Sequence, residues 1–213
     1  MNQPRPFLLC STLLAALLVG CGDGSDDPPP TSAVPAVAEG AFAASVQGDT
    51  AGVGLALFDA AGQGFVLLSD DGDSGHTVMH VADRTQARRA PVGPGFVTLA
   101  FARSEPVTLS IPGGAELAGE YQVLLDGKPV SLSITADGRI GPAGTGACKL
   151  GGQVDLARSI GGARALSLTL ENCGSLAAGS YQGVLFASAD TAPARWQAVV
   201  ENGRSVIDLL AYR

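Results

Sequence analysis

The segment 70–76 carries the residue types best suited to bind a metal ion or act on a substrate. It reads Asp-Asp-Gly-Asp-Ser-Gly-His, and Asp71 and Asp73 stand at the alternate positions that supply oxygen ligands in calcium loops. The next alternate position is glycine, however, and the twelfth is Ala82, where such loops have glutamate. The pattern favours a solvated hairpin turn and leaves Asp71, Asp73 and His76 only as weak candidates for metal ligands.

The two histidines, His76 and His80, are four residues apart. On a helix this spacing would place both imidazoles on one face, where they could bind zinc. The segment 77–81, Thr-Val-Met-His-Val, has the composition of a strand, in which four residues span roughly 13 Å. We therefore predict no metal site and no cofactor, unless the segment 74–90 is helical.

The same polar segment resembles, in Gly72-Asp73-Ser74-Gly75, the nucleophile loop of chymotrypsin-like serine proteases. That family has a further glycine where His76 stands, and its catalytic histidine precedes the serine, whereas no histidine precedes His76 here. The sequence also lacks a phosphate-binding loop, a dinucleotide fingerprint and a nucleophile elbow. We predict that the protein is not an enzyme, with a hydrolase using the Asp70–His76 loop as a distant alternative.

Charged side chains elsewhere offer few candidates for chemistry. The basic cluster Arg84, Arg88 and Arg89 either protects a strand edge, which we favour, or receives a carboxylate from a partner or a neighbouring strand. Spacing alone leaves open a carboxylate pair for glycoside chemistry. We nevertheless expect most of the six glutamates at turn edges or on solvent faces: Glu39, Glu105, Glu116, Glu120, Glu171 and Glu201. The lone tryptophan, Trp196, is expected to pack in a core.

Residues 1–20 have the features of a secretory signal peptide, with one early arginine followed by an apolar run. The run is roughly 13 residues long, below the roughly 20 that a membrane-spanning helix needs. Its end, Leu18-Val19-Gly20-Cys21, resembles the lipobox of bacterial lipoproteins. The resemblance implies cleavage before Cys21, lipidation of Cys21 and anchoring to a membrane.

Residues 21–40 are predicted to form a tether between the anchor and a folded domain. The segment is rich in proline and aspartate and has almost nothing to bury, which favours an extended spacer. Gly22, rather than aspartate, follows the lipidated cysteine, and in the enterobacterial members of the family this points to the outer membrane. Whether the domain faces the periplasm or the outside stays open.

The resemblance also determines how the four cysteines are interpreted. Cys10 would leave with the signal and Cys21 would carry lipid, so Cys148 and Cys173 would remain in an oxidising compartment. A disulfide between them is favoured over a metal pair, because no histidine follows His80 in the chain.

The folded part is predicted to be all-β and antiparallel. Apolar residues alternate clearly at 166–171, 130–135 and 107–111, and more weakly at 97–101, 154–156 and 207–209. Four dipeptides suited to tight hairpin turns lie between them: Asp71-Gly72, Asp126-Gly127, Asp137-Gly138 and Asn202-Gly203. We expect a β-barrel or β-sandwich of about a dozen short strands over 41–213, with two sub-units, 41–112 and 115–213, as an alternative.

Two stretches of this domain are similar, Leu117–Gln122 and Leu176–Gln182, and each precedes an apolar strand. They indicate either two related sheets or two strands that begin alike. The net charge of −7 argues against nucleic acid as a partner. Together these features predict a lipid-anchored envelope protein that serves as a structural or binding module. The alternative is a barrel that carries a small ligand.

Overall fold

The computed structural model of the chain describes residues 38–47, 52–69, 75–83, 86–92, 100–110 and 112–213. Several features predicted above lie outside these ranges. They are the signal segment, Cys21, the tether up to residue 37, Asp71, Asp73, Arg84, the turn at Asp71-Gly72 and the predicted strand at 97–99.

The first part of the chain forms an open antiparallel sheet of six strands. Its spatial order is β5-β4-β3-β2-β1-β6, so β5 and β6 are the edges. The strands are β1 (Gly40–Gln47), β2 (Gly52–Phe58), β3 (Gln63–Ser69), β4 (Val78–Asp83), β5 (Gln86–Ala90) and β6 (Ala100–Val107).

The second part closes into an eight-stranded antiparallel barrel in which β9 pairs with β10. A short helix α1 (Gly114–Leu117) precedes it, and a 3₁₀ turn (Ala189–Thr191) lies between the sixth and seventh of its strands. The strands are β7 (Gly119–Leu125), β8 (Lys128–Ile134), β9 (Arg139–Pro142), β10 (Lys149–Ile160), β11 (Ala163–Glu171), β12 (Gly179–Phe186), β13 (Trp196–Glu201) and β14 (Val206–Tyr212).

The prediction of an all-β antiparallel fold is confirmed. The described residues form fourteen strands rather than about a dozen, and the predicted division at 112–115 lies in the connection between β6 and β7. One strand prediction, at 107–111, was wrong in its described part, 107–110: of these residues only Val107 belongs to a strand, and Ser110 makes a single bridge to Ala187. The alternation there reflects a segment that crosses from the sheet to the barrel and packs apolar side chains on both, not a regular ladder.

Each of the three predicted turns that the structure describes joins two antiparallel strands. Asp126 and Gly127 between β7 and β8 have φ angles of 51° and 69°. Gly138 and Gly203, in the turns after β8 and β13, have φ angles of 85° and 82°. Asp126-Gly127 thus forms the predicted two-residue turn, with positive φ at both positions. The other two hairpins have longer loops in which only the glycine has positive φ.

The two similar stretches begin two strands of one barrel, β7 and β12. In each, a glycine with φ of 150° or 140° opens the strand and a buried tyrosine follows two residues later, Tyr121 or Tyr181. The hydroxyl of Tyr121 donates to the carbonyl oxygen of Leu117 at 2.9 Å, and that of Tyr181 to Ala177 at 2.8 Å. The similarity thus marks a strand start used twice, once at each end of the barrel.

Apolar residues form three clusters in the described part of the chain. One fills the barrel interior with the inward side chains of its strands, and a second lies on one face of the open sheet. The third joins the opposite face of the sheet to the outside of the barrel, where Leu57, Leu67 and Met79 meet Val184 and Val199. Burial of apolar area on both sides therefore connects the two sheets.

The turn between β10 and β11 reaches the sheet at very close range. Gly161 has a φ angle of 58°, and a methyl group built on it would lie 2.3 Å from the carbonyl oxygen of Gly40 and 2.8 Å from the backbone nitrogen of Phe58. Only glycine allows both the turn and this backbone approach.

We therefore expect Gly161→Ala to destabilise the protein more than Gly127→Ala. Gly127 has a similar φ angle of 69°, but nothing lies within 4 Å of the place that an added methyl group would take. The control should lower the free energy of unfolding by about 1–2 kcal/mol, because alanine is strained in the left-handed backbone. Gly161→Ala should lower it further, because the added methyl group must also push the sheet away. Urea unfolding measures both, and equal losses would show that the contact at Gly161 contributes nothing.

Candidate functional site

His76 forms a partly buried polar cluster with two residues of the barrel. Its Nδ1 lies 2.9 Å from Oδ2 of Asp208 on β14, and its backbone N–H donates to the same oxygen at 2.7 Å. Nε2 of Gln197 on β13 donates to both Asp208 oxygens, at 2.8 and 2.9 Å. The cluster therefore joins the segment before β4 to two strands that come more than a hundred residues later.

Asp208 is ionised in this cluster. Burial by itself raises the pKa of its carboxyl group, but the hydrogen bonds from the His76 side chain and backbone and from Gln197 outweigh that effect. The net result is a pKa below the usual value for aspartate. The carboxylate is the acceptor on which the other two residues converge.

A histidine held by a carboxylate is also the arrangement that orients a general base in hydrolases. The hydroxyl of Ser69, at the end of β3, donates to the carbonyl oxygen of Gly75 at 2.7 Å. Asp70 to Ser74 lie outside the described residues. In the described residues, the His76–Asp208–Gln197 cluster links the open sheet to the barrel.

His80 lies elsewhere, on β4, and is fully buried against the apolar face of the open sheet. Neither ring nitrogen has a hydrogen-bond partner. Burial, and next the positive charge of Arg89, lower its pKa to about 4, so the ring is neutral at physiological pH. The predicted strand geometry of this segment is confirmed, and in the described part of the chain no three His, Cys, Asp or Glu side chains are grouped as a metal site.

Arg88 and Arg89 lie on the edge strand β5 and face opposite sides of the sheet. Arg88 pairs with the carboxylate of Glu201 on β13, which is 2% exposed. Glu201 also accepts a hydrogen bond from the backbone N–H of Gly203. The expectation that glutamates occupy turns and solvent faces fails for Glu201, because the outward face of β13 is covered by the sheet.

Cys148 and Cys173 are joined by the predicted disulfide. The bridge lies at the end of the barrel where β7 turns into β8, and it contributes to the wall of an open cleft of about 360 Å³. Lys128 and Asp126 bring charges of both signs, Val130 contributes apolar surface, and the segment 142–147 also lines the cleft. With both charged and apolar lining residues, the cleft has a size and lining suited to a small ligand or a short peptide.

Sequence reasoning missed Gln197, Glu201 and Asp208. A signal was present in β13, which reads Trp-Gln-Ala-Val-Val-Glu, because adjacent apolar residues indicate a strand buried on both faces. Polar residues on such a strand must have partners.

Comparisons with known proteins give no further assignment. A scan against family models and searches of curated proteins and solved structures found no match to the chain. In the described ranges, no helix combines the length and the apolar character needed to cross a bilayer.

Removing the guanidinium from the Arg88–Glu201 pair should destabilise the protein. We expect Arg88→Met to cost about 2–3 kcal/mol, below the 3–5 kcal/mol of fully buried pairs, because water reaches the Arg88 side. Adding Glu201→Gln to this variant should restore at least half of the lost stability, because the amide leaves no unpaired charge. Arg204→Met, at an exposed turn position, is the control. Lack of recovery in the double variant would contradict a charge-based explanation.

Stability should fall as the pH is lowered through the range set by His80. Its folded-state pKa of about 4 lies below the ordinary 6.5, so the unfolded chain takes up a proton between these values and the folded protein does not. The resulting loss in the free energy of unfolding approaches about 3 kcal/mol near pH 4. Urea unfolding from pH 7 downward should show that His80→Leu removes most of this decline, whereas His76→Gln retains it. An unchanged slope in His80→Leu would refute the assignment.

Proposed function

We propose that the protein is a lipid-anchored lipoprotein of the bacterial outer membrane and that its barrel is a non-enzymatic binding module. The anchor rests on Leu18-Val19-Gly20-Cys21 and on the proline-rich segment that follows. Several acyl chains on Cys21 would give durable attachment, because each buried methylene contributes about 0.8 kcal/mol.

The binding role rests on one observation, the open cleft beside the disulfide. The inward side chains of the barrel strands pack into a single apolar cluster, so side chains fill the barrel interior. The cleft of about 360 Å³ at its end instead combines a rigid wall at Cys148–Cys173 with accessible polar groups. A small ligand, as in the carrier alternative, would bind at this end and not inside the barrel.

The disulfide supports this role by restraining the two loops that form the cleft. The bridge links residues 25 apart in sequence and holds the start of β10 beside the segment after β11. A cross-link of this loop length stabilises by about 3–4 kcal/mol in the chain-entropy model. A restrained wall loses less conformational entropy on binding than a free loop would.

The anchor is tested by intact mass spectrometry of membrane-extracted protein. We expect the mass of residues 21–213 plus acyl groups, with a gain of two hydrogens when the Cys148–Cys173 bridge is reduced. The Cys21→Ser variant should be neither cleaved at that site nor acylated. A soluble, unacylated product from the unaltered chain would refute the anchor.

The cleft is tested by filling it. Ala143→Trp places an indole in the cleft, and Ala60→Trp places one at an exposed turn of the open sheet as the matched control. We expect the first variant alone to lose the molecules that co-purify with, or cross-link to, the unaltered protein from envelope fractions. Equal retention by both variants would exclude this cleft as the binding site.

A further inference from the structure

A second cleft runs along the outside of the barrel, at the place where the barrel wall meets the open sheet. It has a volume of about 570 Å³, within the range of small-molecule sites. Most of its lining belongs to β10, β11 and β12, and Phe65 of β3 contributes from the sheet. It shares no lining residue with the cleft beside the disulfide.

Three neutral polar side chains form a row across this cleft. Gln153, Ser167 and Gln182 are direct cross-strand partners on β10, β11 and β12. The residues that follow or precede them in these strands belong to the barrel core, so the alternation of a strand directs the three outward. Adjacent strands lie about 4.8 Å apart, and the row therefore presents amide and hydroxyl groups over about 10 Å.

The groups of this row are accessible and retain hydrogen-bonding capacity. Gln182 is exposed, and its amide forms no hydrogen bond with another described residue. Nε2 of Gln153 donates to the carbonyl oxygens of Asp137 and Val154, at 2.8 and 3.0 Å, which leaves the side-chain oxygen of Gln153 as an acceptor. The half-buried Ser167 has one long hydrogen bond, to the carbonyl oxygen of Gln153 at 3.4 Å.

A bulge in β10 shapes one end of the cleft. The register with β11 shifts between Asp155 and Ser159, so three residues of β10 have no partner on β11. The carboxylate of Asp155 accepts the backbone N–H groups of Ala157 and Arg158, at 3.0 and 3.1 Å. Nη2 of Arg158 donates to the side-chain oxygen of Gln63 at 3.1 Å, which joins the bulge to the sheet. A wall held in this way loses little conformational entropy when a ligand binds.

The charged groups of the lining do not favour an anionic ligand. They are the carboxylates of Asp137 and Asp155 and the guanidinium of Arg158. Asp155 and Arg158 are used within the bulge, and the carboxylate of Asp137 accepts a hydrogen bond from the Thr135 hydroxyl. The uncharged row is therefore the main polar surface that the cleft offers to a ligand.

We infer that this cleft binds a neutral oligosaccharide of two or three units. Sugar hydroxyl groups both donate and accept hydrogen bonds, as the amides and the hydroxyl of the Gln153–Ser167–Gln182 row do. The apolar face of a sugar ring packs on the half-buried ring of Phe65. This inference goes beyond the proposed function, because it concerns the outside of the barrel and requires neither the lipid anchor nor the disulfide cleft.

Ligand-observed NMR on the membrane-extracted protein tests the inference, in a detergent that has no sugar headgroup. The probes are three neutral trisaccharides, cellotriose, maltotriose and N-acetylated chitotriose. We expect saturable binding of at least one of them. Trigalacturonate, an anionic trisaccharide, should bind at least about fivefold more weakly than the tightest of the three, because its carboxylates meet those of Asp137 and Asp155.

Two glutamine variants with the same chemical change locate the binding. Gln182→Leu removes the amide at one end of the row and should weaken binding of the tightest trisaccharide about fivefold to tenfold, because up to two hydrogen bonds are lost. Gln122→Leu makes the same change at an exposed position of β7, outside this cleft, and should leave binding unchanged. Ala143→Trp, which fills the disulfide cleft, should also leave it unchanged, so this inference and the proposed function can fail separately.

Four outcomes would overturn the inference. They are no binding of any neutral trisaccharide, binding of trigalacturonate as tight as that of the tightest neutral probe, equal weakening by Gln182→Leu and Gln122→Leu, and loss of binding in Ala143→Trp. The last result would assign the sugar to the disulfide cleft instead.

Discussion

The structure depends on one strand, β13, being buried on both faces. Its inward side chains, among them Trp196 and Val200, belong to the barrel core, and its outward Val199 belongs to the cluster shared with the open sheet. The remaining outward positions, Gln197 and Glu201, are polar and would be costly to bury alone. Each has a partner that ties it to the sheet, through Asp208 and His76 for the first and Arg88 for the second.

Much of the fold could be predicted from local sequence, because its signals are local. Period-two alternation identified several strands, most clearly β8 and β11. Turn dipeptides identified three described hairpins, and cysteine counting identified the bridge. The polar joints could not be found in the same way. His76 and Asp208 are 132 residues apart, and Arg88 and Glu201 are 113 apart, so no spacing rule relates them. Burial of Glu201 follows only from the packing of one sheet on another.

The candidate sites, like the polar joints, depend on residues that are far apart in the sequence. Asp71 and Asp73, singled out from the sequence, lie outside the described residues, and His76 proves to be part of a joint. The cleft beside the disulfide is formed by segments that converge at one end of the barrel, around Cys148–Cys173. Its residue types are ordinary in the sequence. They form a cleft only because closure of the barrel places the bridge beside a lysine.

The shared apolar face has a consequence for how the chain matures. Strands β1 to β6 are synthesised first, yet one of their faces is covered by Val184, Phe186 and Val199, which belong to strands β12 and β13 near the other end of the chain. Until those strands emerge, the sheet presents apolar side chains and an open edge to its surroundings, a state prone to aggregation. A chain that emerges amino end first would pass through this state before the barrel can close.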